Sequence, residues 1–311
     1  MARVVFMGTP QFAVPTLQAL DEHQEVVGVV TQPDRPAGRG RRVVASAVKE
    51  EAVARNLPVF QPASLRSDAA LDQLAAWHPE VAVVAAFGQI LQGSVLELPV
   101  HGCLNVHASL LPRYRGAAPI AAALLDGERV TGVTIMRMDE GMDTGPILGQ
   151  AECPITTEDT TGSLTTQLAD LGARLLLELL PVWLEGRIQA QPQDEALASY
   201  CRPLTKQDGR LDWSRSAAYL DRQVRACDPW PGAYTMWQGK RLKVLQAHPR
   251  PDWVGREEPG TVIALEPAGL GVATGQGAIE LVGVQLAGKK PMPADVFARG
   301  QRDLMGGTLG A

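Results

Sequence analysis

The run Val81-Ala82-Val83-Val84-Ala85-Ala86-Phe87 constrains this chain more than any other segment, because it is apolar throughout with no polar residue at alternate positions. A strand with one wet face alternates. An unbroken run of this length suits a parallel strand covered on both faces, and parallel neighbours need helical crossovers to join them. The flanking sequence supplies that rhythm. Strand-like runs at Val4–Met7, Val26–Thr31 and Pro58–Gln61 are separated by helical patterns at Pro15–Asp21, Ala45–Asn56 and Asp68–Trp77. Further strands are expected at Cys103–His107, Gly132–Met138 and Ile147–Cys153, with helices at Ala118–Leu125 and Gly162–Glu185. The first half therefore reads as an α/β domain, a Rossmann-like, doubly wound, mostly parallel sheet.

With 311 residues the chain exceeds the usual size of one domain. After Gly186 the periodicity breaks up, and Gln189–Ser199 is polar with a proline, as in an inter-domain connection. The boundary is placed near residue 205, giving domains 1–205 and 206–311. The second opens with a helix over Ser214–Ala226, with Ser214 as its N-cap. Short strands at Arg241–Ala247, Gly260–Leu265, Gly269–Ala273 and Ala278–Val284, parted by Gly and Pro turns, suit a small OB-like β-barrel.

Composition excludes several classes. Hydrophobic residues at 45% and charged residues at 20% are ordinary globular usage, far from the signature of disorder. Cys103, Cys153, Cys201 and Cys227 have no CxxC spacing, which argues against a zinc site or a disulfide framework. No metal is expected. The opening residues reach Gly8-Thr9-Pro10 before any signal-like apolar run, and no window approaches a membrane span, so a cytoplasmic protein is expected. A net charge of −5 alone would discourage polyanion binding, but the charge is segregated. Residues 207–311 carry 13 Lys and Arg against 11 Asp and Glu, while residues 1–206 carry 16 against 23. A sharper basic run holds Arg35, Arg39, Arg41, Arg42 and Lys49, with only Asp34 beside it. It reads equally well as a solvated loop or as a contact surface for an anionic partner.

The chemistry concentrates at Asn105-Val106-His107-Ala108-Ser109-Leu110-Leu111-Pro112-Arg113-Tyr114-Arg115-Gly116. Residues two apart in a strand share a face, so Asn105 and His107 project together from the carboxyl end of a strand, the edge where open α/β sheets bind ligands. An amide NH₂ and an imidazole aimed at one point can donate to an oxygen acquiring negative charge, as acyl transfer requires. A second piece, Asp139-Glu140-Gly141-Met142-Asp143-Thr144-Gly145, is a Gly-hinged acidic loop. Asp143 returning to His107 would orient the imidazole and favour its charged, donating form. Taken singly, Asn105 is equally a turn former, His107 a satisfied core histidine and Asp143 a loop cap; the joint pattern is far more specific.

These two segments and the opening Phe6-Met7-Gly8-Thr9-Pro10-Gln11-Phe12-Ala13 closely resemble the folate-dependent formyltransferases, and among them the branch acting on methionyl-tRNA. The likeness covers essentially the whole chain. It implies the formyltransferase fold, with Asn105, His107 and Asp143 as the catalytic set. It implies 10-formyltetrahydrofolate as co-substrate, lined by Ser109, Leu110, Leu111 and Pro112, with Phe87, Gly88, Gln89, Ile90 and Leu91 at a strand end holding the pterin through backbone groups. It implies initiator methionyl-tRNA as partner of a monomeric enzyme. The tRNA contacts are then Arg35, Arg39, Arg41 and Arg42 on a basic loop and Lys289 and Lys290 in the second domain, with Arg39 foremost. Ala108 departs from the glycine frequent among relatives, and a small side chain remains.

Other readings are weaker. GxGxxG and the P-loop are both absent, which counts against a dinucleotide or nucleotide enzyme. Sibling enzymes that formylate glycinamide ribonucleotide or nucleotide-sugar amines, or hydrolyse the folate, share the Asn, His and Asp; the second domain and the basic loop count against them. A non-enzymatic tRNA-binding module would make no use of the folate motif.

Overall fold

The computed structural model describes residues 1–37, 42–266 and 269–310. In chain order the first half contains β1 (Arg3–Gly8), α1 (Val14–His23), β2 (Glu25–Val30), β3 (Arg35–Ala37), β4 (Arg42–Val44), α2 (Ala47–Ala54), β5 (Val59–Phe60), α3 (Asp68–Ala76), β6 (Val81–Ala85), α4 (Gly93–Leu96), β7 (Cys103–His107) and β8 (Arg115–Gly116). Then come α5 (Pro119–Asp126), β9 (Val130–Arg137), β10 (Ile147–Pro154), α6 (Thr161–Leu184) and β11 (Tyr200–Cys201). The remainder holds α7 (Ala217–Ala226), β12 (Tyr234–Trp237), β13 (Lys240–Arg250), β14 (Val262–Leu265), β15 (Gly269–Ala273), β16 (Ala278–Leu286), β17 (Met292–Pro293) and α8 (Ala294–Arg299).

The chain forms two units. One comprises Met1–Pro119, Val130–Pro154 and Thr165–Cys201; the other comprises Ile120–Arg129, Ile155–Leu164 and Arg202–Ala311. In the first, seven strands lie in the order β10-β9-β7-β6-β1-β2-β5. The pairs from β7 to β5 are parallel, and β9 and β10 close one edge antiparallel. This is the mostly parallel sheet that the apolar run predicts. All five residues of β6 are buried between β1 and β7, as a strand covered on both faces must be. Side-chain caps start the crossover helices: Ser46 accepts from the Lys49 amide at 3.1 Å and Ser67 from the Ala70 amide at 3.3 Å.

β7 carries Asn105 and His107. Its penultimate residue, Val106, lies against α6, where Gly172 lets the helix approach so closely that a Cβ there would come 2.6 Å from Val106 Cγ1. Alternation then sends Asn105 and His107 to the opposite face, at the carboxyl end of the strand.

The second unit is a six-stranded antiparallel sheet with the path β12-β13-β16-β15-β14 and β17 paired to β16. Register shifts around Gln246 in β13 curl it into the expected OB-like half-barrel. Its core gathers Trp213, Leu220, Val224, Leu242, Val244, Val272, Ile279, Val284 and Phe297. The helix here starts later than its sequence pattern predicts. Ser214 is not the cap: its backbone and hydroxyl both donate to Asp212 in a local turn, and Ser216 instead accepts from the Tyr219 amide at 3.3 Å. Among the described residues no helix is long and apolar enough to cross a membrane.

Candidate active site

Asn105, His107 and Asp143 converge. Asn105 Nδ2 lies 3.4 Å from Asp143 Oδ1, and His107 Nδ1 lies 3.6 Å from the same oxygen. Both distances exceed a well-formed hydrogen bond, so the three polar groups meet at one point without saturating each other. That is the arrangement a site needs if its hydrogen bonds are to be completed by a reactant. Asn105 and His107 are 8% and 7% exposed, and a site so nearly closed to water strengthens any charge interaction within it.

Backbone groups orient the set. His107 Nε2 lies 3.0 Å from the Tyr114 carbonyl, an acceptor only, so Nε2 carries a proton and Nδ1 is the nitrogen facing Asp143. The Gly116 amide donates to Asp143 Oδ2 at 2.8 Å, leaving Oδ1 for Asn105 and His107. Gly116 has φ +114° and abuts the Cys201 carbonyl of β11, where any Cβ would collide, so glycine is the residue that fits.

The expected folate residues divide into two kinds. Ser109 and Leu111 are buried; the Ser109 hydroxyl donates to the Arg113 carbonyl at 2.6 Å and is consumed in holding the turn. Thr134 finishes that turn: its hydroxyl donates to the Ser109 carbonyl and accepts from the Leu111 amide and from Gln150 Nε2. Leu110 and Pro112 retain partly open surface. At the β6 end, Phe87 and Leu91 are buried while Ala86, Gly88 and Ile90 are exposed. Phe87 and Leu91 thus turn inward, Gly88 leaves its backbone open, and the Ile90 side chain faces solvent. The Phe87 carbonyl already accepts from Thr9 Oγ1 at 2.9 Å and from Gln32 Nε2 at 3.3 Å, and Gln89 binds the Leu65 amide and the Pro62 carbonyl.

Of the basic run, Arg39 and Arg41 lie outside the described residues. Arg35 and Arg42 sit on the short β3–β4 ribbon, Arg35 exposed and donating to Gln32. Lys49 is neutralised by Asp34 at 2.6 Å, and Gln61 and Lys49 together hold that carboxyl below its usual range. Lys289 and Lys290 are exposed in the second unit.

Sequence reasoning did not single out Thr134, Gln150, Gln193 and Glu195, and it quoted Arg115 without a role. Gln193 Nε2 donates to the carbonyls of Asp143 and Gly145, and Arg115, fully buried, pairs with Glu195. No periodic pattern marks these residues, because they act through single side chains reaching across the fold.

Donors converging at the carboxyl edge of a parallel sheet suit a group-transfer enzyme, and the family comparison gives the class: the chain belongs to the formyl transferase family. Residues 2–180 match its formyl transferase domain and residues 203–302 its formyl transferase C-terminal domain. Within that family, the chain is 49% identical to a methionyl-tRNA formyltransferase of Roseiflexus sp. (strain RS-1), over 99% of this chain and 95% of that one. It is 48% identical to the methionyl-tRNA formyltransferase of Chloroflexus aurantiacus (strain J-10-fl), over 96% of each. Its fold is similar to an N-formyltransferase from Helicobacter canadensis solved with folinic acid and dTDP-3-aminofucose, with TM-score 0.67 and 18% identity over 90% of this chain and 99% of that one. It is also similar to HypX from Aquifex aeolicus in complex with tetrahydrofolic acid, with TM-score 0.64 and 19% identity over 98% of this chain and 48% of that one.

Proposed function

We propose that the protein transfers the formyl group of 10-formyltetrahydrofolate to the α-amino group of methionine on initiator methionyl-tRNA. The observation that carries this reading is the convergence of Asn105, His107 and Asp143 in a chain about half identical, over almost its whole length, to methionyl-tRNA formyltransferases. Residues 1–205 bind the folate and perform the transfer; residues 206–311 contribute the OB-like surface for tRNA. The enzyme works as a cytoplasmic monomer, in keeping with a role in translation.

The attacking α-amino group must be neutral, and a free α-amino group has a pKa of roughly 7.7–8.0, so a useful fraction is already nucleophilic near neutral pH. Catalysis falls on positioning and on the oxyanion formed at the formyl carbon. Asn105 Nδ2 donates to that oxygen. His107 Nδ1 takes up the proton released by the attacking amine and delivers it to the folate nitrogen as the bond from that nitrogen to the formyl carbon breaks, while Asp143 stabilises the transient imidazolium. Leu110, Pro112 and backbone groups between Phe87 and Leu91 hold the folate. Arg35, Arg39, Arg41, Arg42, Lys289 and Lys290 contact the tRNA backbone, a role whose signature is salt dependence. Arg39→Ala is expected to weaken tRNA binding and flatten its salt dependence while leaving folate binding intact.

The test is incubation with 10-formyltetrahydrofolate and methionine-charged initiator or elongator tRNA, followed by quantifying formyl-methionine. Formylation confined to the initiator is expected. No transfer to either tRNA from folded, folate-binding protein would reject the acceptor.

A further inference from the structure

We propose that Gln193, locked by Arg115, is a positioning residue that sets the carboxylate of Asp143 against His107 and Asn105; this rests on Asp143 acting in the transfer as proposed above. Gln193 Nε2 spends both hydrogens on the loop that carries Asp143, donating to the Asp143 carbonyl at 2.8 Å and the Gly145 carbonyl at 2.7 Å. Its Oε1 accepts from Arg115 Nε at 3.0 Å and Nη2 at 2.8 Å. The amide has one workable orientation, because the reverse would face its oxygen with two carbonyls and its NH₂ with a guanidinium.

Arg115 is itself saturated. Nη1 donates to Glu195 Oε2 at 2.9 Å and to the Tyr200 hydroxyl at 3.0 Å, and Nη2 donates to Glu195 Oε1 at 2.7 Å, so with the two bonds to Gln193 all five of its N–H groups are used. Its chain neighbours touch the reacting set directly. The Tyr114 carbonyl accepts from His107 Nε2, and the Gly116 amide donates to Asp143 Oδ2. Arg115 thus fixes the backbone that orients His107 and, through Gln193, the loop that delivers Asp143. Asp143 sits at φ +55°, a conformation that aspartate tolerates but that needs its surroundings to hold it. The Gln193 amide and the Gly116 amide grip it from its main chain and its side chain.

A residue that acts by placing a carboxylate should lower turnover without altering substrate affinity, and should move the pH dependence of turnover. Gln193→Glu keeps the acceptor for Arg115 and replaces both donors with an oxygen facing the two carbonyls. Gln193→Met removes donors and acceptor without adding charge, and checks the reading if the first variant is unstable. Steady-state transfer from 10-formyltetrahydrofolate to methionyl-tRNA, thermal unfolding and the kcat–pH profile are measured for both, with Asp143→Ala alongside. Both Gln193 variants are expected to lose about 10- to 100-fold in kcat, with KM for each substrate within about twofold of wild type and a displaced kcat–pH profile. Wild-type kcat and an unmoved profile in either folded variant, with Asp143→Ala inactive, would overturn the positioning role alone. An active Asp143→Ala would overturn the role of Asp143 and this proposal with it.

Discussion

The site is assembled from two polar regions with opposite hydrogen-bond economies. At the β7 edge, Asn105, His107 and Asp143 approach at 3.4–3.6 Å and leave capacity open. In the segment from Gln193 to Cys201 and the β8 strand it pairs with, Arg115 has every donor bonded, at 2.7–3.0 Å. The first region has hydrogen-bonding capacity that a reactant could complete; in the second, Arg115 has none to spare. Reactive groups kept unsaturated need neighbours that are saturated, because a buried polar group without partners is costly and would otherwise rearrange to find them.

The contrast predicts different kinds of damage. The largest effect should come from the open region: Asn105→Ala or His107→Ala is expected to cost about 10²–10³ in turnover with little change in stability, measured as kcat beside a urea melt. Retention of more than half the wild-type turnover by either would break the comparison. In the saturated region the order reverses. Arg115→Met should lower unfolding free energy by about 2–3 kcal/mol, because it strands the Gln193 acceptor and removes five hydrogen bonds from a buried position.

A smaller effect concerns acid. The Arg115 guanidinium holds the Glu195 carboxyl below its ordinary range. A carboxylate with a depressed folded-state pKa contributes stability above its unfolded value, and that contribution disappears as pH falls through the depressed one. The stability difference between wild type and Glu195→Gln should therefore be present at pH 7 and vanish in strong acid; a constant difference would show that the ion pair is not its source. The smallest effect is in thiol reactivity. Burial pushes Cys103, at the start of β7, up to about 12, and raises Cys201 on β11, which is only half-buried. Iodoacetamide at pH 8 should label Cys103 negligibly and Cys201 slowly, and Arg115→Met should accelerate Cys201 alone.

Legibility in the sequence follows the same division. β7 reads from Cys103 to His107 and β15 from Gly269 to Ala273 with the bounds they have in the structure, because alternation or an unbroken apolar run is a direct image of burial. Asn105 and His107 inherit that clarity, since a strand fixes where each side chain points. The segment Gln189–Ser199 reads as a connection because it has no period. In the structure Gln191 bridges to Ile147, Gln193 and Glu195 reach Arg115, and the Ser199 carbonyl accepts from the Arg115 amide. Its order comes from partners several tens of residues away in sequence, which local propensity does not encode. β12 and α8 are missed for a related reason: Tyr234–Trp237 is four residues long and Ala294–Arg299 six, too short for a period to emerge.

The most direct test of the central claim is the single-turnover rate of formyl transfer to methionyl-tRNA, at saturating 10-formyltetrahydrofolate, for wild type and Asp143→Asn. The substitution preserves shape and an acceptor for the Gly116 amide while removing the charge that faces His107. A loss of about 100-fold or more, with unchanged folate affinity and melting temperature, is the predicted result. A rate within twofold of wild type would contradict the account, because the three groups would then meet at 3.4–3.6 Å without acting together.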